Sequence, residues 1–205
     1  MAEKLYLYPK WLRLWHALNA IFILFLIITG VSMQFSGPQY GFIRFDTAVS
    51  IHNIAGMLLT ASYVLFILGN ILTPNGRYYK LSRKGLFERL KLQFIYYTVG
   101  IFKREKSPFP VTLERKFNPL QQFTYVIAMY IMVPLVFITG WALLYPELLL
   151  TKILGSSGLK INDFVHVITG FLLSFFMLVH IYFCTIGATF VSNFKSMING
   201  YHESH

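Results

Sequence analysis

Residues 161–189, INDFVHVITGFLLSFFMLVHIYFCTIGAT, form an almost unbroken apolar run that carries two histidines, His166 and His180, fourteen residues apart. An α-helix turns about 100° per residue, so this spacing returns to within roughly 40° of the same face, about 21 Å further along the axis. Both imidazoles therefore look the same way at two levels of one helix. A run this long and apolar reads as a membrane span, and an ionisable side chain inside one marks a functional position.

The composition agrees. Of 205 residues, 56% are apolar and 13% charged, about half the charged share of a soluble domain. The chain is therefore expected to be an integral membrane protein. The formal charge of +10 points to nucleic acid at first glance, but most of the basic residues fall in one segment between apolar runs. Membrane orientation explains them, and lipid rather than nucleic acid is the expected partner. Cys184 is the only cysteine. Disulfides, a cysteine-ligated iron–sulfur cluster and a CxxCH haem attachment are thereby excluded within the chain.

Three further apolar runs precede the first one quoted: roughly 14–35 with His16 at its start, 49–72 with His52 in its first turn, and 119–145 with Pro134 inside. No small-residue cleavage site follows the first, so it reads as a retained span. Pro74, Asn75 and Gly76 stop the second. The predicted fold is a single all-α membrane domain over 1–205, a four-helix bundle with a long loop over 73–118. Within that loop, 85–103 places Leu86, Leu90, Phe94, Tyr97 and Ile101 between basic residues, which predicts an amphipathic helix lying on the membrane surface. The N-terminus, long loop and C-terminal tail hold 3, 11 and 1 Lys or Arg, against 3 (Arg44, Lys152, Lys160) in the other two connections. Both termini are therefore expected on the cytoplasmic side. His202 and His205 lie in a polar tail and are expected to be solvated.

An internal repeat organises the histidines. His52-Asn-Ile-Ala-Gly56-Met-Leu-Leu matches His166-Val-Ile-Thr-Gly170-Phe-Leu-Leu, and Ile28-Thr29-Gly30 matches Ile138-Thr139-Gly140. This pattern suggests a duplicated two-helix hairpin with parallel halves. His52 and His166 are repeat equivalents at the outer ends of their helices. His16 and His180 lack repeat partners, their equivalents falling near Val126 and Phe66, yet both lie toward the cytoplasmic side. Depth thus pairs His52 with His166 and His16 with His180.

Two imidazoles facing each other without other ligands suit six-coordinate haem iron, whose remaining four ligands are porphyrin nitrogens. Zinc requires four protein ligands in one cluster, which two separated pairs do not supply. Gly56 and Gly170, one turn after their histidines, let a macrocycle lie close to the helix; tight helix packing is the other reason for a glycine there. Met33, Met57, Met129, Met132 and Met177 read as packing residues rather than axial ligands. The expected cofactors are two non-covalent b-type haems forming an electron path through the membrane. One end would meet quinone, the other a partner protein.

The four spans, the histidine spacing and the segment Arg115-Lys-Phe-Asn118-Pro-Leu-Gln121-Gln122 resemble the di-haem cytochrome b subunits of membrane formate dehydrogenase and thiosulfate reductase. Residues 109–121 look closest to the thiosulfate-reductase branch. The resemblance implies an outer haem on His52 and His166 and an inner haem on His16 and His180, in a bacterial inner membrane. It also implies a menaquinone or ubiquinone site near the inner haem, carried onto Asn118 and, less directly, Gln121 and His180. Read without it, Asn118, Pro119 and Gln121 are an N-cap, first-turn proline and capping box. Arg115 and Lys116 read as interfacial anchors or as partners of haem propionates or lipid phosphates. The implied partner is a ferredoxin-like iron–sulfur subunit with a molybdenum or tungsten catalytic subunit, docking on the outer connections 34–48 and 146–160; a multihaem cytochrome c fits equally. Two alternatives stand beside this reading. One is a free-standing cytochrome b561 that oxidises superoxide, the other a haem-free anchor or transporter whose histidines relay protons.

Overall fold

The computed structural model describes residues 4–37, 42–148, 152–153, 156–187 and 189–203. In chain order it contains β1 (Lys4–Tyr6), α1 (Lys10–Gln34), α2 (Phe45–Leu72), a 3₁₀ turn (Pro74–Tyr79), α3 (Leu86–Ile95), α4 (Pro119–Ile127), α5 (Val133–Leu144), β2 (Lys152–Ile153), β3 (Ser156–Ser157), α6 (Gly158–Cys184), α7 (Ser192–Asn199) and β4 (Tyr201–Glu203). Four helical stretches, Lys10–Gln34, Phe45–Leu72, Pro119–Leu144 and Gly158–Cys184, are long and apolar enough to cross a membrane. At 1.5 Å per residue each exceeds the roughly 30 Å hydrocarbon layer. The expected all-α, four-span fold is present.

The third stretch is α4 and α5 joined by a π-helical turn, Ala128–Met132. Pro134 opens α5 just after it. Proline lacks the N–H that would continue an α-helical ladder, and a widened turn upstream accommodates that break.

Boundaries differ from the sequence expectation at three ends. Helix α2 starts at Phe45, with Asp46 in its first turn favouring the positive helix end, so His52 lies two turns inside rather than in the first turn. Helix α1 starts at Lys10, with the Pro9 carbonyl accepting from the Leu12 and Arg13 amides, so His16 also sits well inside. Helix α6 ends at Cys184, short of 189, because the Asn193 amide donates to the Cys184 and Ile186 carbonyls and satisfies groups the helix end leaves open. The chain then turns into α7.

By internal contacts the chain forms two compact units, 14–68 with 132–179 and 1–13 with 69–131 and 180–205. In the first, the buried positions are mostly small or hydroxylated: Thr29, Ser32, Ala48, Ala55, Ser62, Thr139 and Thr169, around a fully buried Phe66. Such residues let helix backbones approach and bond where no hydrophobic force separates protein from lipid. The Trp15 indole donates to the Ser62 carbonyl and the Ser62 hydroxyl to Asn19, tying α1 to α2. On α6, Phe164, Phe171, Phe175 and Leu178 are largely exposed, a face fit for lipid rather than water.

In the other unit, β1 pairs antiparallel with β4, Leu5 opposite His202. This corrects the solvated tail: His202 belongs to a ribbon and is half-buried. His205 lies outside the described residues. The surface helix exists as α3 followed by a π turn over Tyr96–Gly100, but Leu86, Leu90, Tyr97 and Ile101 of its expected apolar face turn toward protein and are half-buried, Phe94 alone of that set staying exposed. Gln93 and Gly100 are buried and Tyr97 half-buried, while Phe87, Phe94 and Phe102 form the exposed apolar stripe. The cause is a tether: Asn118 Nδ2 donates to the Tyr97 hydroxyl at 2.6 Å, and the Tyr97 ring packs on Phe183 with centroids 4.6 Å apart. Of the outer connections expected to dock a partner, 38–41, 149–151 and 154–155 lie outside the described residues; β2 and β3 form a short hairpin in the second connection.

Candidate functional site: a paired-histidine haem centre

His52 on α2 and His166 on α6 face each other with ring centroids 6.3 Å apart and planes at 72°. Each is held by the span preceding its own. Thr29 Oγ1 on α1 lies 2.9 Å from His52 Nδ1, and Thr139 Oγ1 on α5 lies 3.0 Å from His166 Nδ1.

The hydroxyl protons are already committed: Thr29 donates to the Phe25 carbonyl at 2.6 Å and Thr139 to the Leu135 carbonyl at 2.8 Å. Each threonine oxygen is thereby left to accept from an Nδ1–H. The carbonyls of Leu26 and Val136, acceptors only, join the same contacts. Both rings are thus fixed with the proton on Nδ1, which leaves the Nε2 lone pair available as a metal ligand, the arrangement by which outer partners orient a ligating histidine.

The geometry fits haem iron. Imidazole nitrogens bind first-row metals at about 2 Å, so two rings on opposite sides of one iron have centres roughly 6 Å apart. Among the described residues no cluster of three or more His, Cys, Asp or Glu could hold a metal alone, which suits a centre whose other ligands are porphyrin nitrogens. A Cβ on Gly56 would meet only Leu26 Cδ2 at 4.0 Å, and one on Gly170 nothing within 4 Å. Neither glycine is therefore required by close helix contact, and a Cβ at either would stand in open space or at ordinary contact distance.

Gly30 and Gly140, next to the two threonines, are the tight positions. A Cβ would lie 3.6 Å from His52 Cε1 in the first case and 3.0 Å from His166 Cε1 in the second. The Ile-Thr-Gly words are therefore the seats of the paired histidines, two site elements per half that sequence reading missed. The signal was present in the repeat, which placed one seat and one histidine in each half. The equivalence extends to Thr60 and Ser174, whose hydroxyls donate to the Gly56 and Gly170 carbonyls, both at 2.8 Å.

The second pair departs from the repeat. His180 Nδ1 lies 3.1 Å from the Tyr125 hydroxyl and its Nε2 3.7 Å from Cys184 Sγ. The repeat positions of Tyr125 and His180 are Trp15 and Phe66, and these stack with centroids 4.4 Å apart. One half thus seats a histidine where the other packs a phenylalanine. His16, next to Trp15, is half-buried on α1.

Asn118 caps α4: its Oδ1 accepts from the Gln121 amide at 3.0 Å, and Gln121 Oε1 accepts from the Asn118 amide at 3.2 Å. The capping box is complete, and Asn118 Nδ2 is engaged by Tyr97. Two residues earlier, Lys116 is 3% exposed. Its ammonium donates to Asn75 Oδ1 at 3.2 Å and lies over the rings of Tyr8 (4.5 Å), Tyr78 (5.5 Å) and Phe117 (5.6 Å). Burial lowers its pKa to about 7. Burial pushes the Tyr8 phenol up to about 12 and raises Tyr79 and Tyr97 as well.

Comparison with known proteins agrees with this geometry. The family model described as "Prokaryotic cytochrome b561" matches residues 7–200. A protein of Escherichia coli strain K12 with the name "Putative cytochrome YdhU" is 38% identical over 201 residues, covering 98% of this chain and 76% of its own length. No solved structure matches. With four membrane-spanning helices and a match over nearly its whole length, the chain belongs to the prokaryotic cytochrome b561 family and is a multi-pass, electron-transferring b-type cytochrome of the bacterial inner membrane.

Proposed function

We propose that the chain is a di-haem cytochrome b that moves electrons across the membrane between the menaquinone or ubiquinone pool and a redox partner on the outer face. The observation that carries the reading is the seated pair, His52 and His166, with both Nε2 atoms available and ring centres 6.3 Å apart. These two residues would hold the outer haem, with Gly56 and Gly170 opening space beside it. His16 and His180 would hold the inner one, paired by sequence depth. Haem so held supplies one-electron chemistry between ferrous and ferric iron.

The protein's part is to fix the imidazoles of His52, His166 and His180 by Thr29, Thr139 and Tyr125, and to keep the surroundings apolar. At the cytoplasmic side, Asn118 and Gln121 cap α4 beside Tyr97, and the quinone head group is assigned to this neighbourhood. The outer partner is an iron–sulfur subunit carrying a molybdenum or tungsten enzyme, of the formate dehydrogenase or thiosulfate reductase kind, or a multihaem cytochrome c. The family match favours a second reading equally, a free-standing b561 that passes electrons to quinone from a small reductant such as superoxide.

The test is haem stoichiometry with co-purification. Two haems per chain are expected, with His166→Ala and His180→Ala each removing one. One haem, or loss of both in either variant, overturns the pairing. Co-purifying redox subunits support the complex; quinone reduction by superoxide on the isolated chain supports the second reading.

A further inference from the structure

A lysine amine buried at the end of a membrane protein normally finds a carboxylate, because an unpaired charge in low dielectric is costly. Lys116 has none within ion-pair distance among the described residues; the ion pair described is Arg44 with Asp46. The groups facing its Nζ are Tyr8 from the N-terminal segment, Asn75 and Tyr78 from the 3₁₀ turn, and Phe117 beside it. The Arg77 guanidinium also lies over Tyr78, 4.8 Å from its ring centroid.

From the amine a directed chain runs inward: Asn75 Nδ2 donates to Asn70 Oδ1 at 2.6 Å, and Asn70 Nδ2 to the Tyr130 hydroxyl at 3.4 Å. Lys116, Asn75 and Asn70 are all buried. On the other side, Phe117 packs edge-on to Tyr125, with centroids 4.9 Å apart, and Tyr125 holds His180. Two packed rings, Phe117 and Tyr125, thus lie between the amine and the inner histidine, and Asn118 is two residues away.

We infer that Lys116 is the redox-linked proton site of the cytoplasmic end, the amine that gains a proton when an electron arrives at the inner centre and loses it when the electron leaves. The inference rests on the inner haem and quinone reading above. The balance is one electron with one proton. An electron from the outer redox partner would add one negative charge at a haem held by His180, Lys116 would pass from amine to ammonium with a proton drawn from the cytoplasm, and onward transfer of the electron to quinone would send that proton with it. A second cycle completes the quinol. The Tyr8 phenol does not compete: burial pushes it up to about 12. Burial brings the Lys116 amine down to about 7, near neutrality.

The experiment is a redox titration of the haem α-bands of the full chain in lipid nanodiscs between pH 5.5 and 8.5 (about the range that brackets neutrality), for the native protein, Lys116→Met and Lys116→Arg. The expected result is that the haem removed by His180→Ala has a midpoint potential that falls as pH rises in the native protein. In Lys116→Met and Lys116→Arg it should be flat, and higher in the arginine variant, whose charge is permanent. The other haem is the internal control for folding. A native pH dependence retained in Lys116→Met overturns the inference alone. Unchanged haem content in His180→Ala overturns the inner-haem reading, and the inference with it.

Discussion

Thr139 Oγ1 accepts a hydrogen bond from His166 Nδ1 at 3.0 Å while donating to the Leu135 carbonyl at 2.8 Å. An acceptor on Nδ1–H makes the imidazole a better donor through Nε2. Thr139→Val keeps the shape and strands the N–H, at a cost of about 1–3 kcal/mol. The variant should retain haem, with the outer midpoint potential raised, because the weaker ligand stabilises ferric iron less. Thr29→Val should act likewise through His52. A potentiometric titration showing no upward shift in either would remove the seats from the site.

The glycines beside those threonines separate by clearance. At Gly140 a methyl would stand 3.0 Å from His166 Cε1, at Gly30 3.6 Å from His52 Cε1. Gly140→Ala should therefore tilt its ring and lower outer-haem occupancy, while Gly30→Ala is tolerated. Gly170→Ala meets nothing in the protein within 4 Å, so it should fold normally and lose haem. Full haem content in Gly170→Ala, measured by pyridine haemochrome, would place the macrocycle elsewhere.

Asn118 carries two readings that one pair of variants separates. Asn118→Ala breaks the capping box and should cost about 1 kcal/mol of stability. Asn118→Ser restores the cap oxygen without the amide. If Asn118 also meets quinone, the serine variant recovers melting temperature and keeps a raised KM for quinol. Recovery of both makes Asn118 a cap only.

Lys116 predicts the pH dependence of stability. Its pKa falls from 10.5 in the open chain to about 7 in the fold. Between those values the unfolded chain holds a proton that the folded one has released, so stability rises with pH across that window. Below about 7 both states are protonated and the full burial cost remains. Lys116→Met should therefore melt higher than the native protein at pH 6, with the gain shrinking toward pH 9.5. A gain constant with pH would mean the amine is not titrating in the fold.

The four spans and the histidines were legible because length, apolarity and an ionisable group inside an apolar run are properties of composition and spacing. The role of Thr29 and Thr139 was not, although the Ile-Thr-Gly repeat was visible. Periodicity reports which residues share a face of one helix, and says nothing of which helix that face meets. The apolar face of α3 was legible for the same reason, while its partner was not: the bond from Asn118 to Tyr97 turns that face toward protein. Lys116 was hidden among eleven basic residues of one loop, where membrane orientation accounts for the charge and only burial distinguishes the single residue that it does not describe.

The ribbon of β1 and β4 sets an order of assembly. Leu7 and Tyr8 donate their amides to the Gly200 carbonyl just beyond the paired strands, so the Tyr8 ring reaches its place over Lys116 only when the last part of the chain is available. During synthesis the spans can enter the bilayer one after another, while the amine stays open to water until translation has passed residue 200. The Lys116 amine is thus enclosed only after Gly200 has joined the N-terminal segment. A ribosome stalled before that point would display a lysine with an ordinary affinity for protons, and a chain extended past it would not.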